Sequence, residues 1–291
     1  MNRTHTCHIS CFDLEQIARS GQCFRMTLQT DGSYRVISRG RILTVRQEGT
    51  SLFLLCPEEE LSFWVSYFDL ERDYQAILDS VDPEDEYLKA AARTGKGIRI
   101  LRQDPWEMII TFVISQQKTI PKIRELVEEL CRGYGTPLET PEHSVLYAFP
   151  SPAQLSAASL EDLLALKLGY RAKYIHQLCR DALEGKLEPE KLHSMTYDEA
   201  MAYLTGFYGI GKKVANCICL FGLHHIDAFP VDTWIEKILT DHYFDEKKYR
   251  HTPKTHLYEQ IIKDHFGRYD GFSGVIQQYI FYYERTVING R

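Results

Sequence analysis

The sequence of 291 residues lacks any apolar run near the roughly 18 residues that a membrane-spanning helix needs. Its first residues, MNRTHTCHISCFDLEQ, have neither the apolar core of a signal peptide nor the arginine-rich pattern of a transit peptide. The eight cysteines are scattered and include no C-x-x-C pair, which excludes a dense disulfide scaffold. We therefore expect an intracellular protein in a reducing compartment, without a membrane partner.

Metal ligands are also scarce in the sequence. Cys7 and Cys11, flanked by His5 and His8, could ligate a metal, but no second pair of ligands follows at a useful spacing. Thiols near the start of a small domain are the simpler interpretation. We expect neither a metal nor a cofactor.

Acidic residues outnumber basic ones: the sequence has 34 lysines and arginines and 40 aspartates and glutamates, for a net charge of −6. The acidic residues are unevenly distributed. Between Glu58 and Glu86 there are 11 acidic residues and one basic residue, and the remainder of the chain has a net charge of +4. The total therefore does not exclude a nucleic acid partner, since the distribution of charge matters more than its sum.

Turn and periodicity signals divide the chain into two parts. Asp31-Gly32 predicts a hairpin, RILTVRQ and SLFLLC continue the strand pattern, and a helix is expected from Pro83 to a stop at Gly95. From about Leu101 onward helical periodicity dominates. The sequence predicts an α+β fold, with an antiparallel β-sheet domain at residues 1–100 and a mostly α-helical domain at residues 101–291.

The most informative segment is YLTGFYGIGKKVANCICLFGLHHIDAFPVDTW, which predicts a helix–hairpin–helix at about residues 197–223. In its turn, Gly209, Ile210 and Gly211 allow a tight bend and present N–H groups at a helix N-terminus, which is a natural phosphate site. Glycine often serves only to turn the chain, so this feature alone would favour a structural role.

Together with the loop and aspartate that follow it, the segment resembles the helix–hairpin–helix–GPD superfamily of DNA glycosylases. The resemblance narrows to the 8-oxoguanine DNA glycosylase/AP lyase family, because SGQCFRM, the 98–123 segment, LKLGYRAKYI and FSGVIQQYIFYYER also match. It implies a helical glycosylase domain of two subdomains after the sheet. It also implies a monomer that excises 8-oxoguanine from duplex DNA by nucleotide flipping and cleaves the strand by β-elimination.

In this family the catalytic pair corresponds to Lys213 and Asp232. A lysine amine can attack the sugar C1′ and form a Schiff base, and a carboxylate can stabilise the cationic sugar as the base leaves. A solvated lysine and a helix N-cap are the structural alternatives, and the capping role of Asp232 is compatible with catalysis.

The resemblance implies that four residues contact the damaged base. The carbonyl of Gly21 would accept the N7–H that distinguishes 8-oxoguanine from guanine, and Gln277 would contact the Watson–Crick edge. Phe281 would stack on the base, opposite Cys217. Ordinary core packing is the alternative for Phe281 and Cys217.

Four further residues are assigned to the gap in the duplex and to the opposite base. Gln117 would fill the vacated space, Tyr170 would wedge into the base stack, and Arg171 would hydrogen-bond the estranged cytosine. Lys122 stands where eukaryotic members have an arginine that reads this cytosine, which puts a strict cytosine preference in doubt.

Two further features differ from related enzymes. Trp234 stands where eukaryotic members of the family have a histidine near a DNA phosphate. No cysteine follows Cys219, which excludes the C-terminal iron–sulfur cluster of endonuclease III relatives. These departures suggest a bacterial branch, and hence a cytoplasmic, nucleoid-associated protein. Two alternatives stay open: a monofunctional glycosylase for alkylated bases and a non-catalytic helix–hairpin–helix DNA-binding module. An interaction protein unrelated to DNA would require every match to be coincidence.

Overall fold

The computed structural model of the protein describes residues 2–140 and 144–290. The first part of the chain forms a five-stranded antiparallel sheet in the order β1-β5-β4-β3-β2. Its strands are β1 (Asn2–His8), β2 (Met26–Leu28), β3 (Tyr34–Ser38), β4 (Arg41–Glu48) and β5 (Ser51–Pro57). Helices follow the sheet, so the predicted α+β class is confirmed.

The predicted hairpin joins β2 to β3. Gly32 has φ +82°, and the Asp31 carboxylate accepts a hydrogen bond of 3.0 Å from the backbone N–H of Ser33. Strand β1 was not predicted, because its residues are mostly polar and partly exposed and carry no hydrophobic alternation. In β1, Cys7 pairs with Leu52 of β5. Within the two described ranges, no three His, Cys, Asp or Glu side chains gather as metal ligands.

The helical part begins within the predicted N-terminal domain and contains a short hairpin of β6 (Pro137–Glu139) and β7 (Val145–Tyr147). No helix in the described residues is long and apolar enough to cross a bilayer. The helices are α1 (Leu14–Arg19), α2 (Leu61–Tyr67), α3 (Tyr74–Asp79), α4 (Glu86–Gly95), α5 (Pro105–Ser115), α6 (Ile120–Tyr134), α7 (Pro152–Leu155), α8 (Leu160–Ala165), α9 (Arg171–Leu183), α10 (Tyr197–Thr205), α11 (Lys212–Phe221), α12 (Thr233–Ile238), α13 (Glu246–Tyr249), α14 (Leu257–Phe266) and α15 (Ser273–Tyr283).

The start of α4 corrects one prediction. Pro83 is not the first helical residue, because the helix begins at Glu86 after Asp85. The Asp85 side chain accepts a 2.8 Å hydrogen bond from the backbone N–H of Leu88 and so acts as the N-cap. The predicted stop at Gly95 is confirmed as the last residue of α4.

Two hydrophobic cores organise these elements. One lies between the sheet and α2, where Leu43, Leu52 and Trp64 are fully buried. The second is shared by the helices, and α4 joins it by packing against α15. The domain boundary near residue 100 stays a prediction, although α4 lies before it and packs with the helical core.

Candidate active site

The predicted helix–hairpin–helix is formed by α10, a glycine turn and α11. Gly209 has φ +91°, and a Cβ there would lie 2.3 Å from the Tyr174 ring, so only glycine fits. Ile210 is buried and anchors the turn. Gly211 is the N-cap of α11 and supplies no side-chain oxygen, which leaves the first N–H groups of this helix available to an anion.

Lys213 lies in the first turn of α11, where it is partly buried. Its Nζ is 5.6 Å from the centroid of the Phe112 ring. Its neighbour Lys212 points elsewhere: that side chain is 81% exposed and its Nζ lies 3.2 Å from Glu259 Oε1. The helix therefore separates two adjacent lysines into one that faces a cavity wall and one that faces solvent.

Asp232 lies in the segment that connects α11 to α12. Its Oδ1 accepts hydrogen bonds of 3.0 Å from the backbone N–H groups of Trp234 and Ile235, which confirms the predicted N-cap. Both bonds use one oxygen, so the carboxylate retains a second oxygen for other chemistry. The cap also fixes the side chain in one place.

A cavity of about 520 Å³ brings four of the predicted residues together, and we call it the Lys213 cavity. Volume alone does not single it out, because a cavity of about 660 Å³ near Cys11 contains none of the predicted site residues. The Lys213 cavity is lined by Arg19, Gly21, Phe24, Phe112, Ser115, Lys118, Thr119, Ile120, Pro121, Ile123, Arg124, Lys213, Asp232, Trp234, Phe281 and Arg285.

Gly21 and Phe281 form one corner of the Lys213 cavity. Gly21 has φ +84°, and a Cβ there would lie 3.5 Å from Phe281 Cε1. A side chain at Gly21 would therefore be strained and would narrow the space beside the ring. The Phe281 ring and the Gly21 backbone therefore border the same part of the cavity, where a flat ring could contact both.

Cys217 and Gln277 lie behind the lining of the Lys213 cavity, and both are buried. Cys217 is one helical turn after Lys213. Burial raises the pKa of the Cys217 thiol, and interaction with the Lys213 ammonium opposes that rise. Gln277 donates a hydrogen bond of 3.2 Å to the Pro230 carbonyl and accepts one of 2.9 Å from Gln278, so its amide orientation is fixed.

The residues predicted to contact the gap and the opposite base lie outside this lining. Gln117 and Tyr170 lie in the turns before α6 and α9, and Lys122 and Arg171 lie in the first turns of those helices. We call residues 116–119 and 168–171 the gap loops. Gln117 is exposed and has φ +52°, an uncommon conformation for a residue other than glycine. Tyr170 is 43% exposed. Lys122, in the first turn of α6, pairs with Glu125 at 2.5 Å.

Arg171 is the residue whose placement differs most from its predicted role. It is 4% exposed, its Nη1 donates to the Leu168 carbonyl at 3.2 Å, and its Nη2 donates to the Gln116 carbonyl. Its guanidinium carbon also lies 4.4 Å from the centre of the Tyr170 ring. A contact with an estranged base stays a prediction and requires this side chain to leave its backbone partners.

Sequence reasoning missed Gln116 and three arginines. Gln116 links the gap loops to the hairpin, because its carbonyl accepts from Arg171 and its amide donates to the Gly209 carbonyl at 3.1 Å. The arginines lie at positions 19, 124 and 285, far apart in sequence, and meet only in the folded chain. No local spacing could have indicated them.

Comparison with known proteins agrees with this site. The family model for the 8-oxoguanine DNA glycosylase N-terminal domain matches residues 5–109 of the sequence. The family model for the HhH-GPD superfamily of base excision DNA repair proteins matches residues 110–263. The fold and site thus define a base excision DNA repair protein. The chain belongs to the 8-oxoguanine DNA glycosylase/DNA lyase family within that superfamily.

Individual relatives are consistent with this assignment. The N-glycosylase/DNA lyase of Saccharomyces cerevisiae is 33% identical over 187 residues, or 60% of this chain, and the match spans about half of its own length (49%). A probable N-glycosylase/DNA lyase of Methanothermobacter thermautotrophicus is 29% identical over 263 residues, covering 78% of this chain and 81% of that protein.

Solved structures match over a larger share of the chain. The Clostridium acetobutylicum 8-oxoguanine glycosylase/lyase in its apo form has a TM-score of 0.85 and 35% identity, covering 97% of this chain and 98% of that one. The same enzyme with double-stranded DNA containing cytosine opposite 8-oxoG has a TM-score of 0.86 and 33% identity, covering 98% and 97%.

Proposed function

We propose that this protein excises 8-oxoguanine from double-stranded DNA and then cleaves the strand as an AP lyase. One observation carries the proposal: the Lys213 cavity holds an amine, a carboxylate, an aromatic face and a glycine backbone beside a phosphate-binding hairpin. Its volume of about 520 Å³ lies within the range of small-molecule sites, so a flipped base can enter. The family relationship supports the same activity.

The chemistry follows from these groups. The Lys213 amine bonds to C1′ as the bond from C1′ to the base breaks, and the base leaves with the bonding electrons and takes up a proton. The negative charge of Asp232 stabilises the cationic sugar during this step. The sugar ring then opens: the C1′–O4′ bond breaks, O4′ takes up a proton, and a protonated Schiff base forms between Lys213 and C1′. This Schiff base acidifies C2′–H, and loss of that proton expels the 3′ phosphate by β-elimination.

Lys213 and its neighbour Lys212 lie in different surroundings. Lys213 lies beside the Phe112 ring, whereas Lys212 is solvated and paired with Glu259. Lys213 therefore lines the cavity in which a flipped nucleotide would lie, whereas Lys212 faces solvent. This difference argues against the non-catalytic module, which would need only the hairpin, and against a monofunctional enzyme, which would need no such lysine.

Borohydride trapping tests the proposal. Duplex DNA with one 8-oxoguanine opposite cytosine is incubated with the protein and reduced, and a lesion-dependent covalent band is expected. Lys213→Gln should lose the band and nearly all base release while still binding the duplex, and the matched control Lys212→Gln should retain both activities. An alkali-labile site without a band would indicate a monofunctional glycosylase, and binding with neither product would indicate the DNA-binding module.

We also propose that the protein acts as a monomer, since one chain supplies every side chain of the Lys213 cavity. Light scattering of the protein alone and with one equivalent of duplex tests this, and a dimer in either sample would contradict it. We also propose that the protein is intracellular. Its support is that all eight cysteines are free thiols in the structure, as a reducing compartment would keep them.

A further inference from the structure

Three arginines share the Lys213 cavity with the catalytic pair: Arg19, Arg124 and Arg285. They come from α1, from α6 and from the π-helical turn that follows α15. Arg285 is the most deeply placed, with 9% exposure, and its guanidinium carbon lies 5.4 Å from the centre of the Phe281 ring. Its position in a π-turn is notable, because such turns recur at functional sites.

The hydrogen-bonding capacity of this group is incompletely used. Nη1 of Arg285 and Nε of Arg124 are buried without a hydrogen-bond partner in the described chain. Arg124 donates from Nη2 to the Ala18 carbonyl at 2.8 Å, and Arg19 pairs with Glu15 at 3.0 Å near the surface. Buried donors without partners are rare in proteins, so an acceptor that enters the cavity would satisfy a donor that is otherwise costly to bury.

The charges of the two deeper arginines, Arg124 and Arg285, also lack a compensating carboxylate. No carboxylate of the described residues lies within 4.0 Å of the guanidinium groups of Arg124 or Arg285. Burial lowers the pKa of Arg285 to about 10, and the nearby Arg19 and Arg124 guanidiniums contribute to this shift. Arg285 is therefore still a cation at neutral pH, in a place where positive charge is unfavourable until an electron-rich group arrives.

The position of Arg285 indicates what that group is. A Cβ on Gly21 would lie 3.2 Å from Arg285 Nη1, so this donor sits beside the Gly21 backbone. The proposed function places N7–H of the oxidised purine at the Gly21 carbonyl. In that purine, the carbon atoms on both sides of N7 lead to carbonyl oxygens, O8 directly and O6 through the ring fusion. A guanidinium beside Gly21 therefore faces the oxygen-bearing edge of the base.

We propose that Arg285, with Arg19 and Arg124 beside it, donates to a carbonyl oxygen of the flipped oxidised purine and stabilises the negative charge that grows on the purine as it leaves. The proposal rests on the proposed function. When the bond from C1′ to the base breaks, both electrons go to the purine, which spreads the charge over its nitrogens and oxygens. A fixed cation that is itself largely buried stabilises such charge more than water does.

The test compares two reactions of one enzyme. Single-turnover excision of 8-oxoguanine opposite cytosine depends on the leaving purine, whereas β-elimination at a preformed abasic site does not. Arg285→Gln should slow excision by roughly 10- to 100-fold and leave cleavage of the abasic duplex within about 2-fold. Arg285→Lys should recover part of the loss, because it restores the charge without the planar fork.

The matched control is Arg180→Gln, which removes an exposed arginine of α9 that pairs with Glu184, and it should change neither reaction. Equal losses in excision and abasic-site cleavage would overturn the proposal and indicate a structural role for Arg285. Weaker binding of both duplexes, with a salt dependence reduced by about one ion, would assign Arg285 to a backbone phosphate instead. No change in either reaction would also overturn it. If the wild-type protein cleaves abasic DNA but releases no 8-oxoguanine, the proposed function fails first.

Discussion

The Lys213 cavity and the gap loops differ in how their polar side chains are held. In the cavity, Lys213 and Asp232 border open space, and Arg285 keeps an unused buried donor. In the gap loops, Arg171 is almost fully buried and donates from both terminal nitrogens to backbone carbonyls, although its Nε has no partner among the described residues. The cavity is thus arranged for a ligand, whereas Arg171 must break existing bonds before it can make new ones.

This difference has an energetic consequence. Each hydrogen bond that Arg171 gives up costs about 1–3 kcal/mol if its carbonyl partner stays unsatisfied, which offsets much of what a contact with a base would gain. Groups in the Lys213 cavity require no such exchange. We expect chemistry to depend strongly on the cavity residues, and preference for the opposite base to depend weakly on Arg171.

After the loss of Lys213 itself, the largest expected effect is at Asp232. Asp232→Asn keeps an oxygen for the cap but removes the negative charge, and we expect single-turnover excision to fall by about 100-fold with little change in stability. Asp232→Ala should lose the cap as well and lower the free energy of unfolding by about 1 kcal/mol. Quench-flow kinetics and urea denaturation measure the two effects. Equal destabilisation by both variants would show that Asn does not preserve the cap.

The next largest effect is expected at Gly209. Gly209→Ala places a methyl group 2.3 Å from the Tyr174 ring at φ +91°, which should cost about 2–3 kcal/mol of stability or displace the hairpin. DNA affinity should fall with it. Gly211→Ala is the matched control, because φ there is −90° and no atom lies within 4 Å of the added carbon.

For Gly211→Ala we expect a loss of at most about 1 kcal/mol, since alanine is only a poorer N-cap than glycine. Urea denaturation and fluorescence anisotropy with a labelled duplex measure stability and binding. If the two glycine variants behave alike, the contact with Tyr174 is not what makes Gly209 necessary.

Much of this organisation follows from local sequence signals. The Asp31-Gly32 turn, the glycine turn between α10 and α11, and the spacing of Lys213 and Cys217 all depend on residues close together in the chain. Local turn chemistry and helical periodicity determine such features, so the sequence could predict them.

Other features depend on contacts between distant segments and could not be predicted. Strand β1 is stabilised by pairing with β5 instead of by an apolar pattern of its own. The arginine group of the Lys213 cavity joins α1, α6 and the turn after α15, and the inward orientation of Arg171 requires the Gln116 carbonyl. In each case the deciding partner lies many residues away.

Glu107 is a buried acidic residue whose ionisation is expected to make the stability of the protein depend on pH. It lies on α5, which also carries Phe112, and burial raises its pKa to about 8 while Arg25 opposes the shift. A carboxyl with a raised pKa favours the folded state when protonated, so this contribution is present below about pH 4.5 and is lost as the pH rises through 8.

Glu107→Gln should therefore raise the free energy of unfolding at pH 8.5 by about 2 kcal/mol relative to wild type and flatten its decline between pH 5 and 8. Urea denaturation across that range measures the difference. Glu128→Gln is a useful comparison, because Glu128 pairs with Arg25 at 2.8 Å and its loss should destabilise. An unchanged pH slope in Glu107→Gln would mean that the carboxyl ionises freely in the folded protein.

The smallest effect is expected at Arg171, and it bears most directly on the comparison between the two regions. If the side chain stays with the Leu168 and Gln116 carbonyls, Arg171→Ala should disturb the gap loops and lower affinity for every duplex alike. If it turns outward to an estranged cytosine, the variant should lose about 1 kcal/mol of discrimination against other opposing bases, because the gain of the base contact is partly cancelled by the bonds given up. Excision rates with all four opposing bases distinguish the two outcomes. Lys122→Ala provides the parallel measurement, since Lys122 pairs with Glu125 and, among the described residues, donates to no backbone carbonyl. A larger loss of selectivity there than in Arg171→Ala would show that opposite-base reading depends on the residue that is easier to release.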